Sequence, residues 1–306
     1  MATFIFRRLV SLGFVLFCVV TLTFLLIRLA PGGPFDRERK IPPQIEKELL
    51  AKYKLDGTLW EQYRGYIGDL LHGDLRLSTK YRNRSVNELL AQSLPVSGLL
   101  GAVAFLIATL GGVWVGAFAA VRHETPADTW AMLGALLAIS IPTFVIGPLL
   151  ILVFALKLHW LPVGGWSGPS YVVLPAITLA SPYLAYIARL TRTSMLEVLG
   201  QDFIRTARAK GLAERRVVFK HAMKVAILPV VSFLGPLAAN LLTGSIVVES
   251  IFNIPGAGGF FVNSIQNRDG FLLGGVVIVY CALLVVLNLL VDLAYMGLDR
   301  RIHLYD

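Results

Sequence analysis

Apolar residues fall in long unbroken blocks, at about residues 9–29, 97–121, 130–156, 172–190, 225–248 and 271–298. Each block is long enough, as a helix, to cross a hydrocarbon core about 30 Å thick. None alternates with period two over strand-length segments, which argues against a membrane β-barrel. Proline interrupts three of them: Pro142 and Pro148 in the third, Pro175 and Pro182 in the fourth, Pro229 and Pro236 in the fifth. Proline removes a backbone donor and persists in a membrane helix only where neighbours satisfy the freed carbonyl, so these helices are expected to be bent and packed against protein. Between the first and second blocks, stretches 45–53 and 59–71 have helical amphipathic spacing and predict a small folded cap. The pattern therefore predicts an all-α polytopic membrane protein of six transmembrane helices. Residues 1–30 form the first helix, 31–95 a loop subdomain, and 96–306 a membrane core with a polar loop at about 191–224.

Composition agrees with lipid as the solvent. Of 306 residues 56% are hydrophobic and 15% charged, with a mean hydropathy of +0.70, too few charges to coat a water-soluble domain of this size. The net charge of +9 raises nucleic acid as a partner, but the basic residues lie in span-flanking loops, where the cytoplasmic bias of Lys and Arg accounts for them. Residues 189–224 carry nine Lys/Arg against Glu197, Asp202 and Glu214, which predicts a cytoplasmic loop, both termini cytoplasmic, and residues 31–95, 157–171 and 250–270 outside. The Arg7-Arg8 pair ahead of a long apolar run predicts a retained first span rather than a secretory signal. Cys18 and Cys281 lie inside apolar runs and form no disulfide framework.

Catalytic motifs are missing. The sequence has no G-x-x-x-x-G-K-[ST] phosphate loop and no H-E-x-x-H, and Gly165-Trp166-Ser167-Gly168-Pro169 departs from a nucleophile elbow at its last position. His72, His123, His159, His221 and His303 are scattered, so neither a metal site nor a catalytic residue is expected. Asp292, one turn beyond Asn288, is the ionisable residue set well inside a span; its place near one end suits a polar contact between helices better than an ion pathway. Gly112/Gly116 and Gly270/Gly274 have the spacing that lets helices approach closely.

The most informative stretch is the polar loop. Residues 203–210 have the propensity for two helical turns, with Asp202 as N-cap and Gly211 as the stop, and a second helix is expected from about Ala213. A short cationic helix between two spans either lies on lipid headgroups or docks into another protein. Arg205-Thr206-Ala207-Arg208-Ala209-Lys210-Gly211-Leu212, then Arg215-Arg216, His221-Ala222 and Ile227-Leu228-Pro229, resembles the coupling loop of the permease subunits of bacterial oligopeptide, dipeptide and nickel ABC importers. Arg28-Leu29-Ala30-Pro31-Gly32-Gly33-Pro34-Phe35, Tyr53-Lys54-Leu55, Gly73-Asp74-Leu75, His159-Trp160-Leu161-Pro162, Val247-Val248-Glu249, Ile254-Pro255-Gly256 and Asn267-Arg268-Asp269 extend the resemblance along the chain and favour the B-type subunit. There are two departures. Arg205-Thr206-Ala207 replaces the Glu-Ala-Ala that opens the general importer pattern, so the acidic ATPase contact does not carry over. Gly270 stands where an aromatic is usual.

The resemblance implies the type I importer permease fold and an inner-membrane location. It also implies a second homologous permease, two cytoplasmic ATPase subunits that hold the ATP and Mg, and an external peptide-binding protein; this chain itself takes no cofactor. By the same resemblance Phe203, Ile204, Arg205, Thr206, Ala207, Arg208, Ala209, Lys210 and Gly211 form the ATPase-coupling helix, with Phe203 and Ile204 as apolar anchors. Glu249, Asn253, Pro255, Arg268 and Asp269 are candidates for an external gate or binding-protein contact. The expected cargo is oligopeptides, with dipeptides or nickel chelates as alternatives. An ion-coupled carrier would work alone and respond to an ion gradient, and a membrane scaffold or insertase would turn over no solute.

Overall fold

The computed structural model describes residues 2–29, 43–242 and 245–298, and within these it is all helical apart from one bridge between Leu77 and Ser85. The Ala30-to-Phe35 stretch, Arg300-Arg301 and the side chain of Asp292 lie outside the described residues. In chain order the helices are α1 (Ala2–Leu29), α2 (Pro43–Lys52), α3 (Leu59–Leu71), α4 (Val86–Leu106), α5 (Gly112–Val121), α6 (Pro126–Ser140), α7 (Thr143–Leu150), α8 (Ser170–Leu199), α9 (Asp202–Ala209), α10 (Glu214–Arg216), α11 (Met223–Ala226), α12 (Leu228–Leu242), α13 (Ile246–Ile251), α14 (Ala257–Gln266) and α15 (Gly270–Leu298). Wider π-helical turns join α4 to α5 (Ile107–Gly111) and α10 to α11 (Val217–Ala222), and extend α7 (Ile151–Lys157).

Among the described residues four helical stretches are long and apolar enough to cross a membrane: Val10–Leu29, Val86–Val121, Ser170–Leu199 and Gly270–Leu290. Two bent pairs, Pro126–Ser140 with Thr143–Lys157 and Glu214–Ala226 with Leu228–Leu242, bring the number to six if each is one span. The first pair turns by 109° and the second by 54°. Pro142 accounts for the first break, since the residue before a proline is pushed out of the helical region, and Ile141 is indeed extended (φ −86°, ψ 122°). Pro229 lies in the first turn of α12, where its missing N–H costs nothing. Pro175 and Pro182, by contrast, lie inside α8, which stays one helix of 30 residues.

The second span also starts earlier than its apolar block. Ser85 and Glu88 form a reciprocal capping box, each side chain bonded to the other's backbone N–H (3.2 and 3.1 Å). Asn87, Glu88, Gln92 and Ser93 therefore belong to α4 although they read as loop.

By internal contacts the chain divides into two compact units, Met1–Val96 with Gly256–Val285 and Ser97–Pro255 with Val286–Asp306. In the first, α3 is opened by a Thr58–Glu61 capping box and lies on α1 through Phe24, whose ring stands 5.3 Å from Tyr63 and 5.8 Å from Tyr66. Val86, Leu89 and Leu90 of α4 meet Leu272 and Val276 of α15 in a second buried cluster. Burial works against the charge on Asp69, but hydrogen bonds from Lys54 and Arg76 (2.9 and 2.8 Å) outweigh it and hold its carboxyl below the usual range. α1 crosses α15 at the small-residue pair: Ile27 packs on Gly270, and Thr23 and Ile27 on Gly274.

In the second unit α8 is the central rod, touching α5, α6, α7, α12 and α13. Its approach to α5 depends on Gly112 and Gly116. A Cβ on Gly112 would stand 2.7 Å from Ile187, and one on Gly116 would overlap the Ala188 carbonyl oxygen and stand 2.6 Å from Thr191. Both pairs thus serve packing within the chain.

Gly116→Val should cost at least the ~1–3 kcal/mol typical of overpacking, because it meets backbone that cannot yield. Thermal unfolding of the purified protein should show the loss, and Gly98→Ala, with open space around it, should leave the midpoint within about a degree or two.

Candidate functional site

The short helix α9 presents most of its residues to solvent: Asp202, Phe203, Arg205, Thr206, Arg208, Ala209 and Lys210 are exposed. Ile204 (0% exposed) and Ala207 are buried instead, three residues apart on one face. They enter a cluster with Met195 and Val198 of α8, Ala120 of α5, and Val217, Val218, Ala222 and Ala226. Ile204 therefore fastens α9 to its own chain and is not an outward apolar anchor; of the expected pair, only Phe203 faces out.

The ends of α9 follow from local chemistry. Gln201, not Asp202, occupies the cap position, and Asp202 stands in the first turn where its charge favours the helix dipole. At the other end Gly211 adopts φ +75°. Its N–H bonds the Arg208 carbonyl (2.9 Å) and the Leu212 N–H reaches the Ala207 carbonyl (3.4 Å), a Schellman stop. Arg208 then grips Glu214 at the start of α10 with two hydrogen bonds of 3.1 and 2.7 Å. The guanidinium is thus engaged across the turn, while Arg205 makes only a 3.4 Å contact to Asp202.

A second cluster, which the sequence analysis missed, stands further along α8. Arg192 clamps Asp128 with two bonds of 2.6 and 2.7 Å. The carboxylate, 4% exposed, also receives the Glu124 N–H (3.2 Å) and faces His123 Nδ1 (3.3 Å). The pair ties the turn between α5 and α6 to the helix that leads into α9. Sixty-four residues separate the partners, so no spacing rule could have found them; an Asp in a first helical turn was the only local sign.

The five residues assigned to an external contact divide between the two units. Glu249 is 1% exposed and receives the Ser97 hydroxyl at 2.7 Å. Asn253 and Pro255 are exposed in the turn that follows α13. Asn253 takes φ +50° and closes a second Schellman stop, with Asn253 N–H on the Ser250 carbonyl and Ile254 N–H on that of Glu249. Gly165 N–H bonds the Phe252 carbonyl at 2.7 Å, and Gly164 lies so close that any Cβ would overlap the same oxygen. In the first unit Arg268 is exposed at φ +55° and closes a third such stop after α14, a conformation that costs an L-residue about 1–2 kcal/mol. Asp269 is fully buried. It caps α15 through the Leu272 N–H (3.1 Å) and accepts from the Ser78 hydroxyl and the Thr79 and Lys80 N–H groups.

No group of three or more His, Cys, Asp or Glu side chains able to hold a metal occurs among the described residues. A span bent at Pro142 packs on one long rod, and a short solvent-facing helix is anchored to the end of that rod. The chain belongs to the family of binding-protein-dependent transport system inner membrane components, whose model matches residues 112–304. It is 46% identical over 304 residues to the oligopeptide transport system permease OppB of Salmonella typhimurium and 45% to that of Escherichia coli K12, covering 99% of each chain. It is 43% identical over 305 residues to the dipeptide transport system permease DppB of Bacillus subtilis, covering 100% of this chain and 99% of that one. Solved inward-facing forms of the MetNI methionine ABC transporter share its fold, with TM-scores of 0.58 and 0.59 at 16% identity, over 70% of this chain and 97% of theirs. The protein is thus a multi-pass inner-membrane permease subunit of an ABC transporter, and membership implies an ATPase and a binding protein as partners.

Removing one partner of a mostly buried ion pair leaves the other charge stranded. Arg192→Ala and Asp128→Ala should each cost about 2–3 kcal/mol, and the double variant about 1 kcal/mol or more less than their sum. Thermal unfolding of the four proteins measures the coupling.

Proposed function

We propose that this chain supplies half of the membrane pathway of an ATP-driven oligopeptide importer. It would pair with a second homologous permease, engage two cytoplasmic ATPase subunits, and receive peptides from an external binding protein. The observation that carries the cargo assignment is the similarity, end to end, to permeases named for oligopeptide transport. A dipeptide carrier is the second reading, supported by the Bacillus relative.

In this reading residues 189–224 and both termini are cytoplasmic, as the excess of Lys and Arg there indicates. The outer face of α9, with Phe203, Arg205, Thr206, Ala209 and Lys210, meets the ATPase. Ile204 and Ala207 hold it to α8, Arg208 reaches back to Glu214, and Gly211 turns the chain without strain. A push from a closing ATPase then moves α9, α8 and the α10 region as one body, a two-state alternating-access movement. On the outer side Asn253, Pro255 and Arg268 offer surface for the binding protein or gate, while the buried Glu249 and Asp269 fix the turns that carry them.

Reconstitution of the four-subunit complex with its binding protein in proteoliposomes should give ATP-dependent uptake of peptides of four or five residues. Uptake restricted to dipeptides supports the second reading, and uptake by this chain alone overturns both. Gly211→Val forces a β-branched residue to φ +75°. It should cut transport by about tenfold or more, equivalent to about 1.4 kcal/mol or more of lost coupling, with the ATPase activity of the separate nucleotide-binding subunits unchanged.

A further inference from the structure

The first unit contains a cavity of about 450 Å³, within the roughly 300–1,000 Å³ typical of small-molecule sites. Its walls come from α1, α3, α14, α15 and the segment before α3. Phe24, Ile27, Tyr66, Phe261, Phe271 and Leu273 make most of it apolar. Against that surface stand Arg28 and Arg268, and among the described residues no acid lines the cavity. The Arg28 Nε is buried without an acceptor among the described residues; its guanidinium rests over the Phe24 ring at 5.6 Å. A third cation stands behind the wall. Arg76 lies 5.4 Å from the centroids of both Tyr66 and Phe271, with two further buried nitrogens that lack an acceptor among the described residues. Of the nearby acids, Asp69 is engaged by Lys54 and Arg76, and Asp269 turns to Ser78, Thr79 and Lys80.

Position in the membrane adds to this. Arg28 is the penultimate residue of the Val10–Leu29 span and Arg268 stands two residues before the Gly270–Leu290 span, and Ile27 packs directly on Gly270. The two guanidinium groups thus belong to the same span boundary, where hydrocarbon gives way to headgroups. Arg268 is held there by a left-handed backbone that glycine would adopt more easily. A buried guanidinium nitrogen with no acceptor is costly, and a phosphate oxygen is the acceptor that arginine matches best.

We propose that this cavity binds an anionic glycerophospholipid, with acyl chain against Phe24, Phe261 and Leu273 and phosphate on Arg28 and Arg268. A soluble phosphate would leave the apolar walls unfilled, whereas a lipid at the bilayer edge satisfies both parts at once. The ligand would also fill the gap between α1 and α14–α15, and so hold α1 to the rest of its unit.

The test is native mass spectrometry of the purified complete transporter, titrated with phosphatidylglycerol or with phosphatidylcholine. The wild-type complex should retain phosphatidylglycerol about tenfold more strongly, as expected for charge-assisted contacts. Arg28→Gln with Arg268→Gln should abolish that preference. Leu273→Trp, which fills the cavity and leaves the charges, should lower retention of both lipids. Equal retention of the two lipids by the wild type, or undiminished phosphatidylglycerol binding by both variants, would overturn the proposal. So would efficient cross-linking of Phe261→Cys to another subunit, since a protein would then occupy the space.

Discussion

Burial of Ile204 and Ala207 beneath the end of α8 is the contact on which the proposed mechanism rests. A short exposed helix has little stability of its own, since the first turn fixes several dihedrals for a single hydrogen bond. Two inward side chains, meeting Met195, Val198, Val217 and Val218, give α9 a fixed seat. The Arg208–Glu214 clamp and the stop at Gly211 then fix the direction in which the chain leaves. A loop tethered only by its ends would absorb a push; a helix seated in the core passes it on.

The same logic of local fixing recurs along the chain. Among the described residues five helices end with the same pair of backbone hydrogen bonds, and the residue that must turn left-handed is Lys54, Gly73, Gly211, Asn253 or Arg268. Buried carboxylates then hold distant segments: Asp128 joins the α5–α6 turn to α8, Glu249 joins α13 to α4, and Asp269 joins the 78–80 segment to α15. Asp128 is satisfied by an arginine and Asp269 by several donors, as an ionised group removed from water requires.

Much of this architecture was legible in the sequence. Long apolar blocks announced the spans, and amphipathic spacing announced α2 and α3 to within about two residues. Gly211 marked its own helix stop, because only glycine reaches φ +75° without penalty. The stops at Asn253 and Arg268 were hidden, since neither residue type signals that geometry strongly. Proline was ambiguous: Pro142 stands at a 109° break between two helices, whereas α8 stays one helix through Pro175 and Pro182. The start of α4 was misplaced because its first turns are polar. The Asp128–Arg192 and Ser97–Glu249 bonds join residues far apart in sequence, and the inward turn of Ile204 emerged only once its neighbours were in place.

The continuity of α8 has a mechanical consequence. Thirty helical residues span about 45 Å, so a tilt of only ~5° displaces one end relative to the other by about 4 Å. One end carries Met195 and Val198 against α9; towards the other, about two turns in from Ser170, Thr178 stands beside Gly147, where Ile251 and Phe252 also meet. An unbroken rod of that length converts a small angular change at one face into a stroke wide enough to admit or exclude a side chain at the other. A break in the helix at Pro182 would have dissipated it.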